Sequence, residues 1–230
     1  MIRVSFHEAL ASAESSLRSQ GALVRDQLEM VMEALIARDS EAAQRVVLGD
    51  DRVDGVYLDT QAQVLNLLAL QAPVAGDLRL VSAILHANVH TERMGDLCVN
   101  IAKFVINDHP YPADSPMITR VTEMGQRAAQ MLDLAFAAFA ERSVELAERL
   151  PLEDEALDRL NRGMIGDLKQ YIADEQSFEW ASRLLLVARY LERFGDHAVD
   201  IGEQIAFLVA GVFREFTDAS HPEELPPLVT

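Results

Sequence analysis

Residues 92–101 read ERMGDLCVNI, and residues 192–201 read ERFGDHAVDI, with six of ten positions identical at an offset of 100. A chain that repeats itself must fold as copies of one unit, so this duplication constrains architecture before any local propensity does. The match continues upstream. Leu28, Arg38, Glu41, Ala43, Asp50 and Asp54 correspond to Leu132, Arg142, Glu145, Ala147, Asp154 and Asp158 at an offset of 104. The change of offset needs a four-residue deletion in the second copy. It falls near residues 73–77, where the first copy has a loop, and loops absorb such changes most readily.

Apolar residues recur at helical spacing in both copies, as at Leu28, Val31, Met32, Leu35 and Ile36, and again at Leu132, Ala135, Phe136 and Phe139. Strand-like alternation is absent. Breaks are expected at 38–40, 73–76, 108–116, 142–143 and 173–177, where turn formers and prolines gather. Six helices follow, most of them 25 to 35 residues and so roughly 40 to 50 Å long. The expected fold is all-α, with two tandem, sequence-related three-helix bundles. The first spans 1–110 and the second 111–216, and 217–230 forms a loosely ordered tail.

The net charge of −17 would repel a phosphodiester backbone, and no basic patch offsets it, so nucleic acid is excluded as a partner. Residues 1–9 carry Arg3, His7 and Glu8 and lack the apolar core of a signal peptide. Apolar runs such as 205–213 fall short of the roughly 18 residues that span a bilayer. Cys98 stands alone, so no intramolecular disulfide forms. A cytoplasmic protein without a transmembrane segment is expected.

Acidic side chains four apart on a helix repel by a few tenths of a kcal/mol unless a cation or an arginine compensates. Such pairs occur in the duplicated helices at Asp50/Asp54, Glu92/Asp96, Asp154/Asp158, Glu192/Asp196 and Asp196/Asp200. Four residues advance a helix by about 6 Å and turn it by only about 40°, so Glu92, Asp96 and Asn100 offer oxygens along one face. One ion could not use them all. A second acidic helix alongside would complete a site for several hard cations, and all-oxygen ligation suits Mg²⁺, Ca²⁺, Mn²⁺ or iron. The competing reading is a solvated helix face, which duplication makes less economical.

Gly95 and Gly195 lie inside these helices at a cost of about 1 kcal/mol each relative to alanine, which points to close approach by a neighbouring backbone. Arg93 and Arg193 are expected to balance the acids through ion pairs. His86 and His90 have helical metal-pair spacing, but their counterparts Leu186 and Tyr190 indicate packing or partly exposed residues, and His197 likewise corresponds to Leu97. No histidine has a glutamate three residues before it, which argues against a ferritin-like di-iron enzyme. No catalytic nucleophile, phosphate loop or zinc-protease motif is present, so no enzyme activity is expected.

The chain resembles the PhoU family of bacterial phosphate-uptake regulators. The resemblance rests on LLALQAPVAGDLRLV at 67–81, ERMGDLCVNIAKF at 92–104 and LLLVARYLERFGDHAVDIGE at 184–203, and it covers roughly residues 3–213. It implies multinuclear metal sites, one per bundle, holding divalent or trivalent ions: iron foremost, with manganese, magnesium, zinc or calcium as further candidates. Matching positions are Glu92, Asp96 and Asn100, then Glu192, Asp196 and Asp200, with Asp50, Asp54, Asp154 and Asp158 on the partner helices. Asn100 is neutral where Asp200 is charged, so the first site is expected to bind fewer or weaker ions.

The resemblance further implies a negative regulator of the phosphate-starvation response, an adaptor between the ATPase subunit of the phosphate ABC transporter and a sensor histidine kinase. Homodimers, and membrane association only through partners, belong to the same implication. So acidic a surface is poorly suited to free phosphate, which favours sensing through protein partners. Two alternatives stay open: a carboxylate-bridged metalloenzyme or metal store, and an accessory to a different phosphate transporter.

Overall fold

The computed structural model describes residues 2–107 and 115–216, and their side chains except those of residues 2–5 and 71. The expected tail at 217–230 and most of the proline-rich connector lie outside the described residues. The helices are α1 (Ile2–Ala37), α2 (Ser40–Gln71), α3 (Ala75–Ile106), α4 (Pro116–Glu141), α5 (Val144–Ala147), α6 (Leu150–Leu168) and α7 (Glu175–Ala210). A 3₁₀ turn, Lys169–Tyr171, follows α6.

Helices α1, α2 and α3 pack against one another as the first bundle, and α4, α6 and α7 as the second. The two copies also share their corner geometry. Arg38 (φ 57°) and its counterpart Arg142 (φ 53°) both take the left-handed conformation. The next residues, Asp39 and Ser143, both cap the following helix, accepting from the amides of Ala42 at 2.9 Å and Leu146 at 3.2 Å. Side-chain caps of this kind satisfy donors that the first helical turn leaves open.

One expected helix is divided. The sequence reading runs a single helix from 144 to 172, whereas the chain breaks at residues 148–149 between α5 and α6 and ends the segment in a 3₁₀ turn. Pro151 explains the break, because it has no amide hydrogen and its ring in a continuous helix would collide with the carbonyl of Ala147, the last residue of α5. The first copy has Val47 there and stays helical throughout α2.

The halves join through α3 against α7 and α1 against α4, and one continuous hydrophobic core runs through both. The α1/α4 contact is reciprocal. A methyl group at Gly21 would overlap the ring of Phe136, and one at Gly125 would overlap Met32. Gly21 and Gly125, like Met32 and Phe136, are equivalent positions 104 residues apart. Mutual contacts between equivalent residues are the signature of an approximate two-fold axis between the copies. That axis sets the long helices α3 and α7 side by side, with an acidic stretch on each.

Candidate metal centres

In the first half, Asp50 and Asp54 on α2 come together with Glu92 and Asp96 on α3. Asp50 sits above its ordinary pKa because burial disfavours its charge, with further repulsion from Asp54 and Asp96 offset by a hydrogen bond donated by Gln27 Nε2 at 3.1 Å. Burial likewise raises Glu92, and Asp96, Asp54 and Asp50 add to the effect against the pull of Arg93. Arg93 reaches Glu92 at 3.4 Å and Asp96 at 3.1 Å. The expected role of Arg93 as an ion-pair partner is observed.

In the second half, Asp154 and Asp158 on α6 line a cleft with Glu192, Asp196 and Asp200 on α7. The cleft has a volume of about 400 Å³. Glu192 is only 7% exposed, and burial together with Asp196 pushes its pKa to about 7, although Arg189 pairs with it. Desolvation raises Asp196 as well, and Asp158 and Asp200 reinforce it against Arg189 and His197. Arg193 acts on Glu192 through its field.

Gly95 and Gly195 serve these sites in a way that differs from the expected backbone approach. A Cβ on Gly95 would lie 3.3 Å from Asp50 Oδ1, and one on Gly195 would lie 2.9 Å from Asp154 Oδ1 and 2.6 Å from Leu157 Cδ2. What comes close is therefore side chains, an aspartate of the facing helix among them in each half, with Gln27 and Val53 equally near Gly95 and Leu157 nearest to Gly195. Each glycine leaves a cradle in which that carboxylate can lie against the helix carrying the Glu and Asp of the motif.

Sequence reasoning missed Glu203, which also lines the second cleft, three residues beyond Asp200 and on the same helical face. Burial raises its pKa, while the amide of Phe216 donates to it at 2.6 Å. Its counterpart in the first half is Lys103. There, Asn100 and Lys103 line a separate groove with Arg38, Arg183 and Tyr190. The asymmetry expected from Asn100 against Asp200 is thus larger than one residue: an Asp and a Glu in the second copy stand as an Asn and a Lys in the first.

The second cleft fits a hard cation. Its donors are carboxylate oxygens, and Glu192 Oε2 is a buried oxygen with no hydrogen-bond partner. A multivalent cation would supply the missing partner and relieve the repulsion that raises Glu192 and Asp196.

The histidines depart from expectation. His90 on α3 meets His197 on α7, with their Nδ1 atoms 3.2 Å apart, and both approach Asp200 Oδ2, at 3.2 Å and 3.4 Å. This contact joins the two copies, where comparison of equivalent positions within each copy does not reach. Burial lowers the pKa of His90 even though Asp200 pulls it upward, which keeps the imidazole neutral near pH 7. Cys98 is buried and its thiol is pushed far upward by burial, as suits a small core residue.

Known proteins share both the repeat and its three-dimensional form. The PhoU domain model matches twice, at residues 17–105 and 121–205. The chain is 30% identical over 207 residues to the phosphate-specific transport system accessory protein PhoU of Serratia marcescens, covering 90% of this chain and 85% of that one. It is 29% identical over 208 residues to the homologue of that protein in Xylella fastidiosa, covering 90% and 87%. The crystal structure of PhoU from Pseudomonas aeruginosa superposes with a TM-score of 0.83 at 30% identity, covering 90% of this chain and all of that one. The phosphate transport system regulatory protein PhoU from Streptococcus pneumoniae gives 0.82 at 26% identity, covering 92% and all of that chain. These relatives carry the names of accessory and regulatory proteins, not of enzymes. With both copies of its repeat matched and the same fold throughout, the chain belongs to the PhoU family.

Proposed function

We propose that this protein is a phosphate-specific transport accessory protein that holds the phosphate-starvation response off when phosphate is plentiful. It acts in the cytoplasm as an adaptor, as a homodimer, between the ATPase subunit of a phosphate ABC transporter and a sensor histidine kinase. The observation that carries this reading is the match of both repeats to a family whose members are named for that transport system. Among the described residues no helix is long and apolar enough to cross a membrane, so attachment to a transporter would run through protein contacts.

Multinuclear metal ions, iron foremost, belong to the same reading. Asp154, Asp158, Glu192, Asp196 and Asp200 would hold them in the second half, and Asp50, Asp54, Glu92 and Asp96 in the first, with Asn100 at most a neutral contributor. Bound cations would neutralise the two clefts and lock α2 to α3 and α6 to α7. The protein's own part is to hold the carboxylates together on rigid helices.

Disruption of the gene should raise alkaline phosphatase in phosphate-rich medium, and a plasmid-borne copy should restore repression. Unchanged phosphatase in the disrupted strain would overturn the regulatory reading.

A further inference from the structure

We propose that His90, His197 and Asp200 form a mixed nitrogen–oxygen site for a single borderline transition-metal ion, Zn²⁺ by its chemistry, which ties α3 to α7 across the two halves. The three ligand atoms, Nδ1, Nδ1 and Oδ2, lie within 4.8 Å of one another. Their edges are 3.2, 3.2 and 3.4 Å. A metal held about 2.0–2.1 Å from tetrahedral nitrogen and oxygen ligands spaces them about 3.3 Å apart, so this triangle already has the dimensions of one face of such a site. The fourth position would go to water. Imidazole nitrogen also distinguishes this site from the carboxylate clefts, whose oxygens favour harder ions.

The internal two-fold axis supplies an independent observation. The pseudo-equivalents of His90, His197 and Asp200 are Tyr190, Leu97 and Asn100. Tyr190 and Asn100 line one groove, and none of the three pseudo-equivalents carries an imidazole or a carboxylate. The departures from symmetry at these three positions converge on one point. Packing alone asks for no such coincidence, since the equivalent positions hold Tyr190 and Leu97.

In the metal-free protein, the two imidazoles can each donate Nδ1–H to Asp200 Oδ2. Binding at Nδ1 requires the neutral tautomer protonated on Nε2, so the metal replaces two N–H donors with one cation and no net proton is lost from the rings. The site adjoins the second of the metal clusters proposed above, with which it shares Asp200. Substitutions are therefore confined to the histidines.

The test uses the full chain stripped of metal and titrated with Co²⁺, then with Zn²⁺ as competitor. One equivalent of Co²⁺ should give the intense visible bands of tetrahedral nitrogen-containing coordination, and one equivalent of Zn²⁺ should abolish them. His197→Leu and His90→Tyr introduce residues that the fold already carries at the equivalent positions, so helicity should persist. Each should remove the bands and weaken Zn²⁺ by more than the roughly 100-fold that loss of an outer-shell partner costs. Mn²⁺ bound in the carboxylate clefts should be unaffected by either variant, so failure of the cleft reading and failure of this one are separately visible. Absence of tetrahedral bands in the wild type, or bands unchanged in both variants, would show a hydrogen-bonded histidine pair and overturn the proposal.

Discussion

Glu192 shows what an acidic cleft demands of one residue. Its carboxylate is 7% exposed, it lies beside Asp196 and Asp158, and its Oε2 lacks a hydrogen-bond partner. Arg189 offsets only part of that conflict. Replacing the charge with an amide removes a buried anion and adds donors facing neighbouring carboxylates. Glu192→Gln should therefore stabilise the metal-free protein at pH 7.5 by on the order of 1–3 kcal/mol, while weakening Mn²⁺ binding in the second half. Urea unfolding and metal titration on the same preparation check both halves of this statement. A metal-free variant no more stable than the parent would mean that Glu192 is already compensated. Four acids of the first cleft and five of the second were legible in the sequence because helical periodicity is local: acids four apart must share a face. His90 and His197, 107 positions apart and on different copies, share nothing local. Their meeting depends on how the copies pack, which no spacing along the chain encodes.

At the scale of helices, the repeat predicted the plan and one proline modified it. The corners at Arg38-Asp39 and Arg142-Ser143 were readable as breaks, and the structure gives both the same left-handed turn and cap. Pro151 stands in the sequence but is not among the expected breaks, and the steric rule against internal proline divides the helix there. The α1/α4 contact is less legible, because a glycine in a helix does not say which side chain it accommodates. Gly21 accepts the Phe136 ring and Gly125 accepts Met32. Equivalent substitutions should therefore have unequal effects. Gly21→Ala should destabilise by about 1–3 kcal/mol, since a rigid ring has to move out of a packed interface. Gly125→Ala should cost less or nothing, because a flexible thioether can withdraw and alanine gains about 1 kcal/mol of helix propensity. Equal urea midpoints for the two variants would contradict this account of the interface.

Over the whole molecule, the net charge of −17 and the gathering of carboxylates into clefts make stability depend on protons and cations together. Asp50, Glu92, Glu192, Asp196 and Glu203 all have pKa values raised in the folded state, foremost by burial. A carboxylate whose folded pKa is raised holds its proton in the native state at a pH where the unfolded chain has released it. The native state then binds more protons, and the free energy of unfolding falls as pH rises. For Glu192 the window runs from 4.5 to about 7. The metal-free protein should therefore be most stable near the low end of that window and lose stability steadily toward pH 7.5, contrary to the usual plateau near neutrality. A divalent ion reverses the slope, because it binds the ionised clefts and competes with protons. At a concentration 100 times its dissociation constant it adds about 2.7 kcal/mol per site. Urea unfolding at pH 5, 6 and 7.5, with and without Mn²⁺, should give two curves that diverge as pH rises, the metal-free one descending. Parallel curves would mean that the cations do not compete with these protons, and that the clefts are solvated acidic faces after all.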